Sequence, residues 1–416
     1  VPEIAAEHWQ LGNGLTVLAE SMPHLRSAAI GLLVPAGYQH DPAPLLGLAN
    51  LTCELAQRGA GQRDSRELLE AMDDLGLERT STVGTYHTAF SGAMPHEALS
   101  EVLQLYADIV QRPHLPADQL DEVQQLALQE LRAAEDEPST RLMQRLRLAH
   151  YGDPLGRSAQ GTQPGVESTQ VGDIQSFVER LYQPRGAILA LAGKIDLPAL
   201  RQQIDQLFGR WEGQVVPSIE PRLGTPGYQH LEQASQQVHI GVSLPAVPVR
   251  DPEFLRLRGA VGVLSDGATS RLFQRIREDR GLCYTVYASC HSLRDRGGVF
   301  CYAGTSSERA QETLDLLLQE LHRFGEGLEQ GELDRLKVRL QSSLIMEQES
   351  CLARAGAMAS DWFHLGRIRP LDEIQDLVDG LTEESILSHW LANPPRDLRI
   401  VTVGPQPLNT PFSIQR

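Results

Sequence analysis

A repeat at nearly constant offset constrains this chain more than any other feature. Ile30-Gly31, Pro35-Ala36 and Asp41-Pro42 return as Ile240-Gly241, Pro245-Ala246 and Asp251-Pro252, each 210 residues later. Leu120-Asp121 returns as Leu333-Asp334, and the apolar run 189–192 ending at Gly193 returns as 400–403 ending at Gly404, at offsets of 213 and 211. Chance matches between similar elements would not hold the offset so steady, so the sequence reads as two similar domains. Between them, Pro217, Pro221, Gly224, Pro226 and Gly227 interrupt any period. The division is therefore a domain over residues 1–212, a linker over 213–228 and a domain over 229–416.

Within each half the pattern runs strand, strand, helix, strand, long helices, strand. In the first half, residues 15–20 and 28–34 read as strands, and 44–58 carries apolar residues at helical spacing until Gly59 stops it. Residues 97–111, 117–135 and 140–150 read as amphipathic helices. Strands and helices do not alternate strictly, which predicts an α+β fold: two duplicated domains, each a largely antiparallel sheet packed with helices on one face.

Composition narrows the function. With 37 basic and 54 acidic side chains in 416 residues, the net charge of −17 excludes a nucleic-acid binder. The longest apolar stretches, 28–37 and 186–193, are about half of what a membrane-spanning helix needs. The chain opens Val1-Pro2-Glu3 without a basic or apolar leader, so a targeting segment is expected to be removed or absent. Five cysteines, an odd and sparse set, argue against a disulfide framework and favour a cytoplasmic location, with the periplasm as the alternative.

At the first helix the stretch Gly47-Leu48-Ala49-Asn50-Leu51-Thr52-Cys53-Glu54 resembles the metal-binding helix of the M16 family of inverted zincins, the pitrilysin, insulysin and mitochondrial processing peptidase type. That family uses H-x-x-E-H, in which two imidazoles at i and i+4 grip zinc from one helix face and the glutamate between them is the general base on zinc-bound water. Here those positions hold Asn50, Cys53 and Glu54. Both imidazoles and the base are missing. The resemblance puts a third ligand, a glutamate on a later helix, at Glu130, while Val123 replaces a second acidic residue two turns earlier. Asn50, Cys53, Glu54 and Glu130 thus read as a degenerate zinc site, with no metal expected in this chain. The bland reading of Cys53, a small buried thiol, outweighs a nucleophile, because Glu54 would raise its pKa.

The second half matches better. Ser270-Arg271-Leu272-Phe273-Gln274-Arg275-Ile276-Arg277-Glu278-Asp279-Arg280-Gly281-Leu282-Cys283-Tyr284 resembles the family's S-R-L-F-x-x-I-R-x-x-x-G-L-x-Y stretch. A helix over 270–280 ending at Gly281, followed by a strand over 282–289, would let Arg277 and Tyr284 face one cleft. In the family this Arg and Tyr support the substrate and the tetrahedral oxyanion, a task that suits a guanidinium and a phenol. The resemblance continues through residues 11–17, 151–157, Gly161-Thr162 and 193–196. Cys283, Cys290 beside His291, and Cys301 lack metal-ligand spacing and read as buried thiols, and the loop 265–269 lacks the lysine and glycine spacing of a phosphate cradle.

Kept Arg and Tyr with a lost zinc helix is the pattern of a non-catalytic subunit in the two-chain bacterial branch of the family. It implies a chain inactive alone, a partner subunit that carries H-x-x-E-H and the zinc, and an extended peptide as substrate, with no nucleic acid or membrane involved. The pair would be a heterodimer, or alternatively a homodimer. The charge of −17 suits either a chamber for basic peptides or plain surface solubility. The rival class is a scaffolding or peptide-binding relative without peptidase activity.

Overall fold

The computed structural model describes residues 6–410, so the opening Val1-Pro2-Glu3 lies outside the described part. The chain begins with strands β1 (Glu7–Gln10), β2 (Thr16–Ser21) and β3 (Ser27–Val34), then helices α1 (Leu48–Ala56) and α2 (Ser65–Asp74) and strands β4 (Glu78–Val83) and β5 (Thr88–Pro95). Next come helices α3 (Leu99–Gln111), α4 (Leu120–Asp136), α5 (Pro138–Tyr151), α6 (Gln163–Ser168) and α7 (Val171–Leu181). Strand β6 (Ile188–Gly193) and helix α8 (Leu197–Phe208) follow. The later part holds β7 (Gly227–Glu232), β8 (Gln237–Ala246), α9 (Phe254–Ser265), a π-helical segment Phe273–Glu278, β9 (Cys283–Ser292) and β10 (Gly297–Ser306). It ends with α10 (Ala310–Arg323), α11 (Glu332–Gln348), α12 (Cys351–Leu365), α13 (Leu371–Asp379), α14 (Glu383–Ala392) and β11 (Arg399–Gly404).

Two compact units result. Unit 1 comprises the described residues up to Ala133 with Arg157–Glu220 and Met346–Pro370; unit 2 comprises Ala134–Gly156, Pro221–Ile345 and the described residues from Leu371. A contiguous division into 1–212 and 229–416 puts helices α5 and α12 in the opposite units. Each unit takes a helix from the other half of the sequence.

The repeat is a repeat of topology. Unit 1 has strand order β1-β2-β6-β3-β5-β4 and unit 2 has β7-β11-β8-β10-β9, so leaving out β1 gives one order twice. In each sheet one pair is parallel, β2 with β6 and β7 with β11, and the others are antiparallel. The repeated Ile-Gly pairs sit on the equivalent central strands β3 and β8.

In unit 1 the main core joins Val17, Ile30, Leu32 and Leu189 of the sheet to helices α1, α3, α7 and α8 through residues such as Leu51, Ile109, Phe177 and Phe208. Burying each such side chain contributes about 1.5–3 kcal/mol before entropy is charged against it. The helical layer on one face is as the sequence implies. The opposite face carries one helix more: α12 lays Cys351, Ala355, Met358 and Ala359 on Leu18, Ala29, Ala190 and Ala192. Small residues on both sides let helix and sheet approach closely. The buried Arg354 guanidinium fixes the arrangement with an ion pair of 2.7 Å to Glu20 on β2. In unit 2, α5 takes the corresponding place: Leu142 and Leu146 lie over Gly241, where a Cβ would collide with Leu142.

Candidate functional site

In unit 1 the site is built on α1. Asp41 is buried, and its carboxylate accepts the amide hydrogens of Gly47 at 2.8 Å and Ala49 at 2.9 Å, so it closes the start of the helix. Gly47 takes φ +105°, and this left-handed residue divides the helix expected over 44–58 into a short 3-10 turn, Ala43–Leu45, and α1 proper. Asn50 is half-buried on α1, and Cys53 is buried. Burial first, and then the charge of Glu54, push the Cys53 thiol up to about 12, so it stays protonated at neutral pH. Gln57 donates to the Cys53 carbonyl at 2.9 Å and to the Ser81 hydroxyl at 3.1 Å, tying this turn of α1 to β4.

Glu54 on α1 lies within electrostatic reach of Glu130 on α4. Partial desolvation and then the Glu130 charge raise the Glu54 pKa, against the opposing pull of Arg58 and Arg79. Val123 is turned into the core rather than toward the carboxylates. The donors do not fit a tetrahedral zinc ion: Asn50 offers a neutral amide, Cys53 a thiol that keeps its proton, and the rest are two carboxylates. Among the described residues no group of three or more His, Cys, Asp or Glu is placed to hold a metal.

Tyr182, just beyond α7, belongs to this cluster although nothing in the sequence points to it. It is fully buried, its hydroxyl has no hydrogen-bond partner, and after burial the nearby Cys53 and Glu54 hold its pKa well above the usual phenol range. No periodicity or motif marks a tyrosine at a helix end as a neighbour of residues more than a hundred positions earlier. For Asp41 a signal did exist, in the repeated Asp-Pro pair.

In unit 2 the segment expected as a helix over 270–280 is wound as a π-helix from Phe273 to Glu278, with the Asp279 amide donating to the Gln274 carbonyl at 2.8 Å. Gly281 at φ +60° ends it, and the Leu282 amide closes back on the Ile276 carbonyl at 3.0 Å. Strand β9 then carries Tyr284, a residue that is 82% exposed. The Arg277 guanidinium lies 4.5 Å from the centroid of the Phe273 ring and 5.2 Å from that of Tyr284. The turn thus brings this cation and phenol together at the surface, where each can donate to an oxygen of a bound group. Cys283 and Cys301 are buried and Cys290 is half-buried; all five cysteines are free thiols, and burial raises Cys290 and Cys301 to about 12 and Cys283 to about 11.

A duplicated α+β unit with a metal-helix position in one copy and an Arg–Tyr turn in the other defines the inverted-zincin class of architecture. The chain belongs to the M16 peptidase family: residues 16–163 match the insulinase domain of that family, and residues 168–340 match its inactive domain. Among curated relatives, an uncharacterized zinc protease of Rickettsia felis is 24% identical over 381 residues, covering 91% of this chain and 92% of the relative. An uncharacterized zinc protease of Mycobacterium tuberculosis is 26% identical over 395 residues, with 92% and 89% covered. Two crystal structures share the fold. A peptidase M16 inactive domain from Pseudomonas fluorescens has a TM-score of 0.87 at 22% identity, covering 98% of this chain and all of that one. A protease from Helicobacter pylori has a TM-score of 0.89 at 18% identity, covering 97% of this chain and all of that one. No described helix is long and apolar enough to cross a membrane.

Proposed function

We propose that this chain is the non-catalytic, substrate-binding subunit of a heteromeric M16-type zinc peptidase, supplying Arg277 and Tyr284 to the zinc site of a partner for peptide-bond hydrolysis. The observation that carries this reading is the Arg277–Tyr284 pair, 5.2 Å from guanidinium to ring centroid with the phenol exposed. A phenol that serves a developing oxyanion must stay accessible, and Tyr284 does. The donor set at Asn50, Cys53, Glu54 and Glu130 supports the second half of the reading, that hydrolysis needs another chain with H-x-x-E-H and zinc. The substrate is an extended peptide, the assembly a heterodimer, and the compartment the cytoplasm, where five free thiols stay reduced.

The test is reconstitution. The isolated chain, purified free of metal and then exposed to zinc, should hold no stoichiometric zinc and cleave no peptide; mixing with an M16 chain bearing H-x-x-E-H should create activity that neither has alone. One tightly held zinc per chain with chelator-sensitive cleavage would overturn the reading. Stable association without any gain in activity would replace it with a scaffolding role.

A further inference from the structure

Unit 2 contains a second polar site, away from the Arg277–Tyr284 turn. Between the loop after α9 and the first turns of α11 lies a shallow cleft open to solvent. Its polar lining is Asp266, Thr269, Ser270, Glu332, Arg335 and Arg339. We infer that this cleft binds a carboxylate monoanion, such as the C-terminal carboxylate of a peptide, between the Arg335 and Arg339 guanidinium groups and the Ser270 hydroxyl.

Three observations lead there. Arg335 and Arg339 stand one turn apart on α11, and among the described residues neither side chain makes an ion pair or hydrogen bond, so two unpaired cations border the cleft and only the Asp266 carboxylate of the lining stands against them. The Arg339 guanidinium is folded against Gly267, in space that a side chain there would fill. Gly267 sits at φ +85°, so the loop is both shaped and stripped to let the cation lie close. Ser270 is only 4% exposed, lines the cleft, and its hydroxyl has no partner at all. A buried hydroxyl without a partner is rare in folded proteins, and here it belongs to a residue that lines the cleft, with a hydrogen bond still to give.

The acids in the lining select the charge of the ligand. Glu332 is already neutralised: Arg271 donates to both of its oxygens, at 2.8 and 2.6 Å, in a buried two-pronged pair. Asp266 remains as one uncompensated anion at the rim, and it disfavours a phosphate dianion more than a carboxylate with a single charge. Two guanidinium groups against one free carboxylate leave a net of one positive charge for a monoanion to balance.

The inference does not rest on the role proposed for Arg277 and Tyr284, and its test uses the isolated full-length chain without a partner. An N-acetylated tripeptide with a free C-terminus, the same tripeptide as its amide, acetate and inorganic phosphate are titrated calorimetrically into the wild-type chain. The tripeptide acid should bind, and the amide should bind at least about tenfold more weakly, since it lacks the charge that both guanidinium groups recognise. Arg339→Gln and Arg335→Gln should each weaken the acid by about tenfold, and Ser270→Ala by less. Because Arg335 and Arg339 border an open cleft, their variants should keep the wild-type melting temperature, which separates a lost ligand from a lost fold. Acetate binding as well as the tripeptide acid would assign the site to small carboxylates in general and support the inference. Equal binding of acid and amide, tighter binding of phosphate, unchanged affinity in the Arg335→Gln/Arg339→Gln double variant, or no binding of any probe would overturn it.

Discussion

In each unit a helix, a left-handed glycine and a leucine lead into the edge strand of the sheet, and the two turns differ by one residue. In unit 1, α2 is a regular helix opened by a capping box between Asp64 and Glu67; Gly76 takes φ +62°, and the Leu77 amide closes on the carbonyl of Met72, five residues back. In unit 2, Gly281 takes φ +60° and the Leu282 amide closes on the carbonyl of Ile276, six residues back. Met72 and Ile276 are both buried in their cores. The wider π winding therefore places one more residue between the buried side chain and the glycine, so that Arg277 rather than the buried residue stands seven positions before Tyr284. Seven positions before Arg79 on β4 stands the buried Met72; seven before Tyr284 on β9 stands an arginine reaching over the tyrosine ring. One extra residue in a helical turn has made a surface pair out of what is otherwise core packing, which fits the tendency of π-bulges to occur at functional sites.

The largest effect that tests this contrast lies at Tyr284. In the reconstituted complex, Tyr284→Phe should lower kcat by about 10²–10³ with little change in KM, because the lost hydroxyl would act on an oxyanion that exists only near the transition state. Arg277→Ala should raise KM as well, since a guanidinium also holds the bound peptide. Steady-state kinetics on the mixed complex separate the two, with Arg79→Ala in unit 1 as the control expected to leave both constants unchanged. Full activity of the Tyr284→Phe/Arg277→Ala double variant would remove the pair from the mechanism.

A smaller but still large effect concerns the other side of the comparison, the α1 site. Asn50→His, Cys53→Glu and Glu54→His together should restore zinc binding with Glu130, because Glu130 on α4 already lies within electrostatic reach of Glu54 on α1. Imidazoles at i and i+4 would share the helix face that meets Glu130. Affinity should fall short of a natural site by about 10–100-fold, since Val123 and the unpartnered Tyr182 hydroxyl offer none of the supporting hydrogen bonds that orient metal ligands. Calorimetric titration with zinc reads this directly. Binding no tighter than in the parent chain would mean that Glu130 does not reach the face of α1 carrying residues 50 and 54.

How far the sequence discloses all this depends on what kind of information each feature needs. The two sheets are legible because strands at a constant offset repeat their order, and Ile30-Gly31 and Ile240-Gly241 mark the same central strand. The exchange of α5 and α12 is not legible, because amphipathic spacing shows that a helix has a face to bury and not which sheet will take it. Asn50, Cys53 and Glu54 form a set, and Glu130 joins it, only through the resemblance to the family's metal-binding helix and its later glutamate. Tyr182 joins them only through the packing of α7, which leaves no local trace. The Arg277–Tyr284 spacing is visible as a motif, yet the π winding that sets the two side chains side by side is not, since one added residue leaves the apolar pattern around Ile276 and Leu282 intact.

The smallest expected effect isolates the turn itself. Gly76→Ala and Gly281→Ala each force an L-residue into a left-handed conformation, at a cost of about 1–2 kcal/mol. Crowding adds little at either place: a Cβ at Gly76 would meet the Pro95 ring at 3.5 Å, and one at Gly281 only the Arg309 guanidinium at 3.9 Å. Urea denaturation should therefore give similar losses of stability for the two variants, with unchanged dependence on denaturant. Their consequences for the mixed complex should part. Gly281→Ala strains the closure that sets Arg277 over Tyr284 and should lower activity several-fold beyond any loss of folded protein, whereas Gly76→Ala strains a turn that carries no such pair and should leave the activity of the folded fraction intact. Equal losses of activity in the two variants would mean that the π-helical turn has no special part in holding the pair, and the difference between the two units would reduce to packing.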